Sequence, residues 1–494
     1  MTVTDSARLA SAVPAAASAA HDLHPDRFFD PDAGVRRLAR ELYERTRDLP
    51  IISPHGHVDP ALLADNAPFP EPTALIFTRD HYIVRMLYSR GVSMESLGIP
   101  ARDGTAVEQD PRKVWQLFGD HYHLLRGTPT AAWLAHEFTE VFGIRRPMNG
   151  ANAMAVYDEI AEKLASPEFL PRALFDRFRI EVLATTDKAS DPLTAHQAIR
   201  ASGWGGRVVP TFRPDAVFRI AQSGWQQEIG ALSGAAGMPI ADFASLLAAL
   251  EKQRLYFKAL GATATDHAVV EPATHWLEPH EAQRLFARAQ RGEATVADQR
   301  QFEAHMLMEM ARMSVTDGLV MQLHPGTLRD HNDLVAARFG PDTGGDIPIA
   351  TEYTRNLHAL LNRFGNDPRL TLVVFTLDES TYARELAPLA GHYPALRLGP
   401  PWWFHDSIEG MTRFRHAVTE TAGFYNTAGF NDDTRAFCSI PARHDLARRL
   451  DANFLAGQVA RHIMDMDSAH EVAFALAYGL ARETYKFGPA GSAQ

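Results

Sequence analysis

Short apolar runs that end in a polar cluster recur along the chain, with helical stretches between them. The first is "PIISPHGH" (50–57), followed by "EVLATTD" (181–187), "RVVPTFRPD" (207–215) and "GATATDH" (261–267). The series continues with "GLVMQLHPG" (318–326), "LTLVVFTLDES" (370–380), "ALRLGPPWWF" (395–404) and "FYNTAGFNDD" (424–433). Continuous apolar runs bounded by Gly, Pro and Asp suit strands that are buried on both faces, as in a parallel sheet. The stretches between them carry helical periodicity; in "TEYTRNLHALLNRFG" (351–365), Leu357, Leu360, Leu361 and Phe364 share one face. Eight strands alternating with helices predict an α/β fold, a distorted (β/α)8 TIM-type barrel.

The spacing is uneven. The first strand ends near His57, yet the second begins only at about Arg179. The segment 60–178 between them has helical patterns such as "DHYIVRMLYSRG" (80–91) and "PTAAWLAHEFTEVFG" (129–143). An insertion on the strand-to-helix side of a barrel lies over the mouth, where active sites are built. A smaller insertion is expected at 268–315, around the charged "ADQRQFEAHMLMEMARMS". Residues 1–27 read as a disordered lead-in rich in Ala and Ser, 28–487 as one barrel domain, and 488–494 as a tail.

Composition narrows the function classes. The chain has 494 residues, 46% hydrophobic and 22% charged, values of an ordinary globular protein. Its formal charge of −11, with no basic stripe, argues against nucleic acid as a partner. A single cysteine, Cys438, excludes an internal disulfide and any Cys-rich zinc pattern, so a metal would be held by His and carboxylates. No apolar run reaches the roughly 18 residues that span a membrane, and residues 1–20 lack the apolar core of a signal peptide. These features suit a cytoplasmic protein acting on a small molecule; a homo-oligomer is compatible with them and the copy number is left open.

His55 and His57 stand two residues apart at the end of the first run, so in extended chain both imidazoles point the same way. Alone, H-x-H fits a metal site or two histidines in a turn shaped by Pro54 and Gly56. First and last strands are neighbours in a closed barrel, so Asp433 at the end of the eighth run can complete a site with open coordination positions. The polar residues closing the runs are His55, His57, Asp187, Arg213, Asp266, His324, Asp378, Trp402, Asp433 and Arg435. In a parallel barrel they converge on one mouth.

The motifs "IISPHGHVDP", "DHYIVRML", "HPGTLRDHN", "WWFHDSIEGM" and "GFNDDTRAF", in this order, resemble those of the uronate isomerases, the sugar-acid branch of the amidohydrolase superfamily. The resemblance spans about Phe28 to Phe487. It implies one divalent metal ion, usually zinc, at His55, His57 and Asp433. It also implies an aldose–ketose interconversion, of D-glucuronate with D-fructuronate and of D-galacturonate with D-tagaturonate. Carried over motif by motif, it marks His81 and Tyr82 in "DHY", Arg213 in "FRPD", Asp266 in "ATDH", His324 and Arg329 in "HPGTLR", Trp402 in "WWF" and Arg435 in "DDTR". The chain departs from many relatives at His405, where they carry Asn.

Moving a carbonyl from C1 to C2 demands a base, a donor or cation beside the developing oxyanion, and a grip on the substrate carboxylate. Arg213, Arg329 and Arg435 supply three planar forks suited to carboxylates. Asp433 suits proton acceptance as the sugar ring opens. Tyr82 suits carbon-acid proton transfer provided a nearby cation lowers its pKa from about 10. Other readings stand beside these: His81 and Tyr82 as packing residues of an amphipathic helix, Arg213 in a surface salt bridge, Trp402 as a barrel plug. The rival activity is a metal-dependent hydrolase or deaminase. Against it, the middle runs carry no bridging lysine, and "HPGTL" lacks the glutamate of a ring-protonating H-x-G-E.

Overall fold

The computed structural model describes residues 22–78 and 80–488; the predicted lead-in over 1–21 and the tail beyond Gly488 lie outside the described residues. The architecture is α/β with parallel sheets. In chain order the strands are β1 (Ile51–Ser53), β2 (Ile180–Ala184), β3 (Asp187–Lys188), β4 (Arg207–Val209), β5 (Phe212–Arg213) and β6 (Ala264–His267). They continue with β7 (Val320–Leu323), β8 (Thr327–Leu328), β9 (Ile347–Pro348), β10 (Leu372–Val374) and β11 (Leu396–Leu398). One parallel sheet runs β1-β2-β4, and a second runs β11-β10-β7-β6-β5-β3. The second and third apolar runs each break into two short strands shared between the sheets, β2 with β3 and β4 with β5, so the order passes without reversal from β1 to β11. Ile52, Val182, Val209, Ala264, Val320 and Val373 from successive strands form one buried cluster, the inner layer expected when strands are apolar on both faces.

Seven of the eight predicted strands are present. The eighth run differs: 424–433 forms only a single parallel bridge, Leu398 to Thr427. Gly429 turns with φ +78, and a Cβ there would lie 2.7 Å from the Ala481 nitrogen. Asp433 itself has φ +36. The close helix and these left-handed residues bend the run out of strand geometry. Its end still reaches the loop that follows β1, where the His57 N–H donates to the Thr434 carbonyl at 2.9 Å. The antiparallel pair β8–β9 has no counterpart among the predicted elements.

Other boundaries also shift. Residues 22–27, given to the lead-in, are anchored: Arg40 grips Asp26 at 2.6 Å and Arg27 pairs with Asp445. The helix predicted in 351–365 covers only His358–Phe364, because the Tyr353 and Thr354 N–H groups donate to Glu385 instead. The segment 60–178 is largely helical, and its Phe77, Leu87, Trp115, Phe118 and Phe142 belong to a core it shares with Ile51, Leu183 and Phe437. In 268–315 the second helix, Val296–Asp317, buries Met306, Leu307, Met308 and Met310 completely. It is the crossover that leads back to β7, so that part belongs to the main helical layer and not to an insertion.

Candidate active site

Four of the predicted side chains meet where β1, β7 and the bent run 424–433 end. His55 is buried, and its Nε2 lies 3.4 Å from Asp433 Oδ1. His57 Nε2 lies 3.1 Å from the same oxygen. The His55 ring stacks on His324, with centroids 4.6 Å apart. Donor atoms of His55, His324 and Asp433 fall within 4.8 Å of one another, a His/Asp group able to hold a metal ion. His324 Nε2 and Asp433 Oδ1 are buried without a hydrogen-bond partner, and such atoms are costly unless something polar or charged faces them. Neutral imidazoles and a carboxylate are the donors a divalent ion takes. On both counts the residues fit the implied metal. The geometry brings His324, which is not among the ligands the resemblance implies, into this group.

Neighbours hold the donors in shape and charge. His324 Nδ1 lies 2.7 Å from Asp266 Oδ1; with the proton on Nδ1 donating to that carboxylate, Nε2 keeps its lone pair for the site. The His324 ring stacks on Phe375 at 3.9 Å and meets the edge of Trp402 at 4.8 Å, so Trp402 is both packing and site wall. Burial drives the Asp433 carboxyl upward, but His55 and His57 overcome it and hold it well below the usual carboxylate range. Asp266 is likewise held low, burial being outweighed by Arg213, His324 and His55. For His57 and His324 burial wins over their acidic neighbours and favours the neutral ring.

The arginines divide into two settings. Arg213 is half-buried between two buried carboxylates, with Asp215 Oδ2 2.7 Å from Nε and Asp266 Oδ2 3.5 Å from Nη1. Arg329 and Arg435 pair with carboxylates of the loop that holds Asp342 and Asp346. Arg329 pairs with Asp346 at 2.7 Å and stacks over Trp403 at 5.2 Å. Arg435 faces Asp342 at 3.5 Å.

The insertion contributes the tip of the helix His81–Tyr88. Asp80 caps it, accepting from the Tyr82 N–H at 2.8 Å and the Ile83 N–H at 3.2 Å. This fixes His81 and Tyr82 at the first turn, where Tyr82 stacks on His81 at 4.5 Å and His81 meets Trp403 edge-on at 5.6 Å. Burial, reinforced by Arg435, lowers His81 to about 3. Tyr82 is also packed against Trp133 at 5.6 Å, the contact expected of the packing reading. Burial raises the Tyr82 hydroxyl above its ordinary value despite the opposing charge of Arg443. The cation expected to lower it is present but loses.

A family model described as "Glucuronate isomerase" matches residues 33–484. The chain belongs to this family. A uronate isomerase of Brucella canis is 53% identical over 464 residues, covering 94% of this chain and 99% of that protein. Among solved structures, the glucuronate isomerase of Caulobacter crescentus superposes with a TM-score of 0.93 at 50% identity, covering 95% of this chain and 98% of that one. The uronate isomerase of Thermotoga maritima gives a TM-score of 0.87 at 27% identity, covering 94% and 99%.

Within this family fold, the departure at His405 lies off the donor group: the ring is tied to the Leu377 carbonyl at 3.0 Å and to Glu379 at 3.0 Å. Several residues near the site escaped the sequence reading. Arg443 lies 3.7 Å over Trp133 and 5.6 Å from the Tyr82 ring, and donates to buried Asp406 at 2.7 Å. Asp342 and Asp346 sit in a polar loop whose pattern resembles any turn. Asp406 had a signal, one residue beyond the "WWFH" of a quoted motif; Arg443, inside a long helix, had none. Asp187 and Asp378 make local contacts, to the Thr185 hydroxyl and to the Ser380 hydroxyl, in keeping with structural roles.

Proposed function

We propose that the chain is an aldose–ketose isomerase acting on hexuronates, converting D-glucuronate to D-fructuronate and D-galacturonate to D-tagaturonate by proton transfer through an enediol. Membership of the family over nearly the whole chain supports the reaction class. The observation that carries the reading is the convergence of the His55–His57–His324–Asp433 group, with Arg213 tied to it through Asp266 and His324. The barrel belongs to the same reading: the backbone bond from His57 to Thr434 supports closure of the parallel strands into a distorted (β/α)8 barrel.

His55, His57 and Asp433 would hold one divalent ion, with His324 as a further donor; zinc suits imidazole and carboxylate ligands. Such an ion would supply positive charge to stabilise the oxyanion that develops during isomerisation. Asp433, kept ionised by its histidines, accepts the C1 hydroxyl proton and returns it to the ring oxygen as the sugar ring opens. Ionised again, it takes the C2 proton to give the enediol and returns it to C1. Arg435 and Arg329 grip the carboxylate, while Arg213 with Asp266 and His324 orients the hydroxyls near the reacting carbons. Tyr82, protonated at rest, donates a hydrogen bond to oxygen as enediol charge develops. Trp402 and Trp403 keep bulk water from the carbons that exchange protons.

A proton NMR time course with glucuronate and with galacturonate in D₂O tests this. Ketose carrying some solvent deuterium at C1 is expected. Ketose without deuterium after many turnovers in both directions would replace the enediol by a hydride shift. No ketose, with acid or ammonia released from an ester or amide library, would return the chain to the hydrolase alternative.

A further inference from the structure

The three arginines differ in how far their charge is already spent. Arg213 faces two carboxylates, at 2.7 and 3.5 Å. Arg329 has a close partner in Asp346, a side chain only 7% exposed, whose other oxygen accepts from the Asp330 N–H at 2.8 Å. Arg435 is the least committed, facing Asp342 across 3.5 Å, and that aspartate side chain is 52% exposed. A pair this long and wet contributes little to stability. It is also easily exchanged.

The loop that brings Asp342 there is braced rather than free. Gly340 and Gly344 turn with φ +89 and +88, and Asp342 itself has φ +62. A Cβ on Gly344 would lie 2.6 Å from Arg85 Cβ and 3.1 Å from the His81 carbonyl, so the loop presses on the helix that carries His81 and Tyr82. At its start, the Arg102 N–H donates to the Arg338 carbonyl at 2.8 Å. The covered half of the Asp342 side chain favours the neutral acid, but Arg435, Arg329 and His81 reverse this and keep it ionised. An anion is thus held against the guanidinium best able to receive another.

Resting on the isomerase reading of Arg435, we propose that Asp342 is a specificity-determining residue whose carboxylate occupies the place on Arg435 that the substrate carboxylate takes. Binding of a uronate is then an exchange of one carboxylate for another. A neutral aldose has nothing to displace Asp342 with, and Arg435 stays engaged by the protein. The arrangement lowers affinity for the true substrate slightly in return for selecting sugars that carry an acid group.

The Asp342→Asn variant of the full chain tests the exchange through kinetics with glucuronate and titration with D-gluconate, an anion with no carbonyl to isomerise, and with its neutral partner D-glucitol. Removing an exposed competing charge is expected to lower the glucuronate KM and the gluconate Kd by about two- to five-fold, leaving glucitol unmoved. A KM and Kd unchanged or raised would overturn the proposal and make Asp342 a bystander or a hydroxyl contact. Equal gains for gluconate and glucitol would overturn it too, pointing to a looser loop instead of a freed charge. If the wild type fails to isomerise glucuronate, the proposed reaction fails, and the gluconate–glucitol comparison still judges the exchange.

Discussion

Asp433 combines an uncommon backbone with a shared oxygen: φ +36, and two histidine Nε2 atoms within 3.4 Å of Oδ1. A non-glycine residue persists in that region where its surroundings over-determine it. Asn at 433 keeps the shape and tolerates left-handed φ, but it cannot accept a proton as a carboxylate does. Turnover should fall by at least about 10²-fold with the melting temperature little changed; near-normal kcat would remove Asp433 from the chemistry. Tyr82→Phe removes one hydroxyl while retaining the stack on His81 and the edge contact with Trp133. It is expected to lower kcat strongly at nearly unchanged stability, whereas normal kcat would leave Tyr82 as packing. At this scale the histidine pair was legible from its two-residue spacing at the end of an apolar run, although β1 stops at Ser53 and both imidazoles stand in the loop beyond it. The part His324 plays was not, since it depends on a ring stack and on Asp266 from the neighbouring strand. Nor was the acidity of Tyr82, which burial sets against Arg443.

Among the elements, the helix His81–Tyr88 shows how a local signal places a distant function. Its cap is Asp80, and losing a cap costs about 1 kcal/mol. Asp80→Ala should therefore lower kcat by loosening the first turn, while Asp80→Asn, which still caps, should restore most of it; equal loss in both would assign the effect to the charge. Behind this turn Glu137 is buried beside Asp80 and Arg443, and burial pushes its carboxyl up to about 8 from an ordinary 4.5. The folded state therefore keeps a proton that the unfolded chain releases. That contribution is complete below about 4.5 and is lost as pH rises through about 8. Relative to Glu137→Gln, which has no proton to lose, the wild type should lose on the order of 1–3 kcal/mol between pH 5 and 9. Parallel melting curves for the two proteins across that range would exclude it. The strand runs themselves were legible from apolar content. The bend in 424–433 was not, because it answers to Ala481, a residue far along the chain.

For the whole molecule, one divalent ion per chain is expected, with His55→Ala/His57→Ala binding much less; equal stoichiometric metal in both by elemental analysis would sink the donor assignment. Among the described residues no helix is long and apolar enough to cross a membrane. The alternation of strands and helices, and the long segment between β1 and β2, could be read from the sequence because each rests on local pattern and spacing. The docking of 22–27 and the absorption of 296–317 into the main layer could not, since both depend on partners supplied by the finished fold. The contact between His57 and Thr434 joins one end of the chain to the other. A ribosome must therefore release almost the entire polypeptide before the donors can assemble. Chains cut short by premature termination, or nicked with loss of the C-terminal segment, would lack Asp433 and compete poorly for scarce metal in the cell.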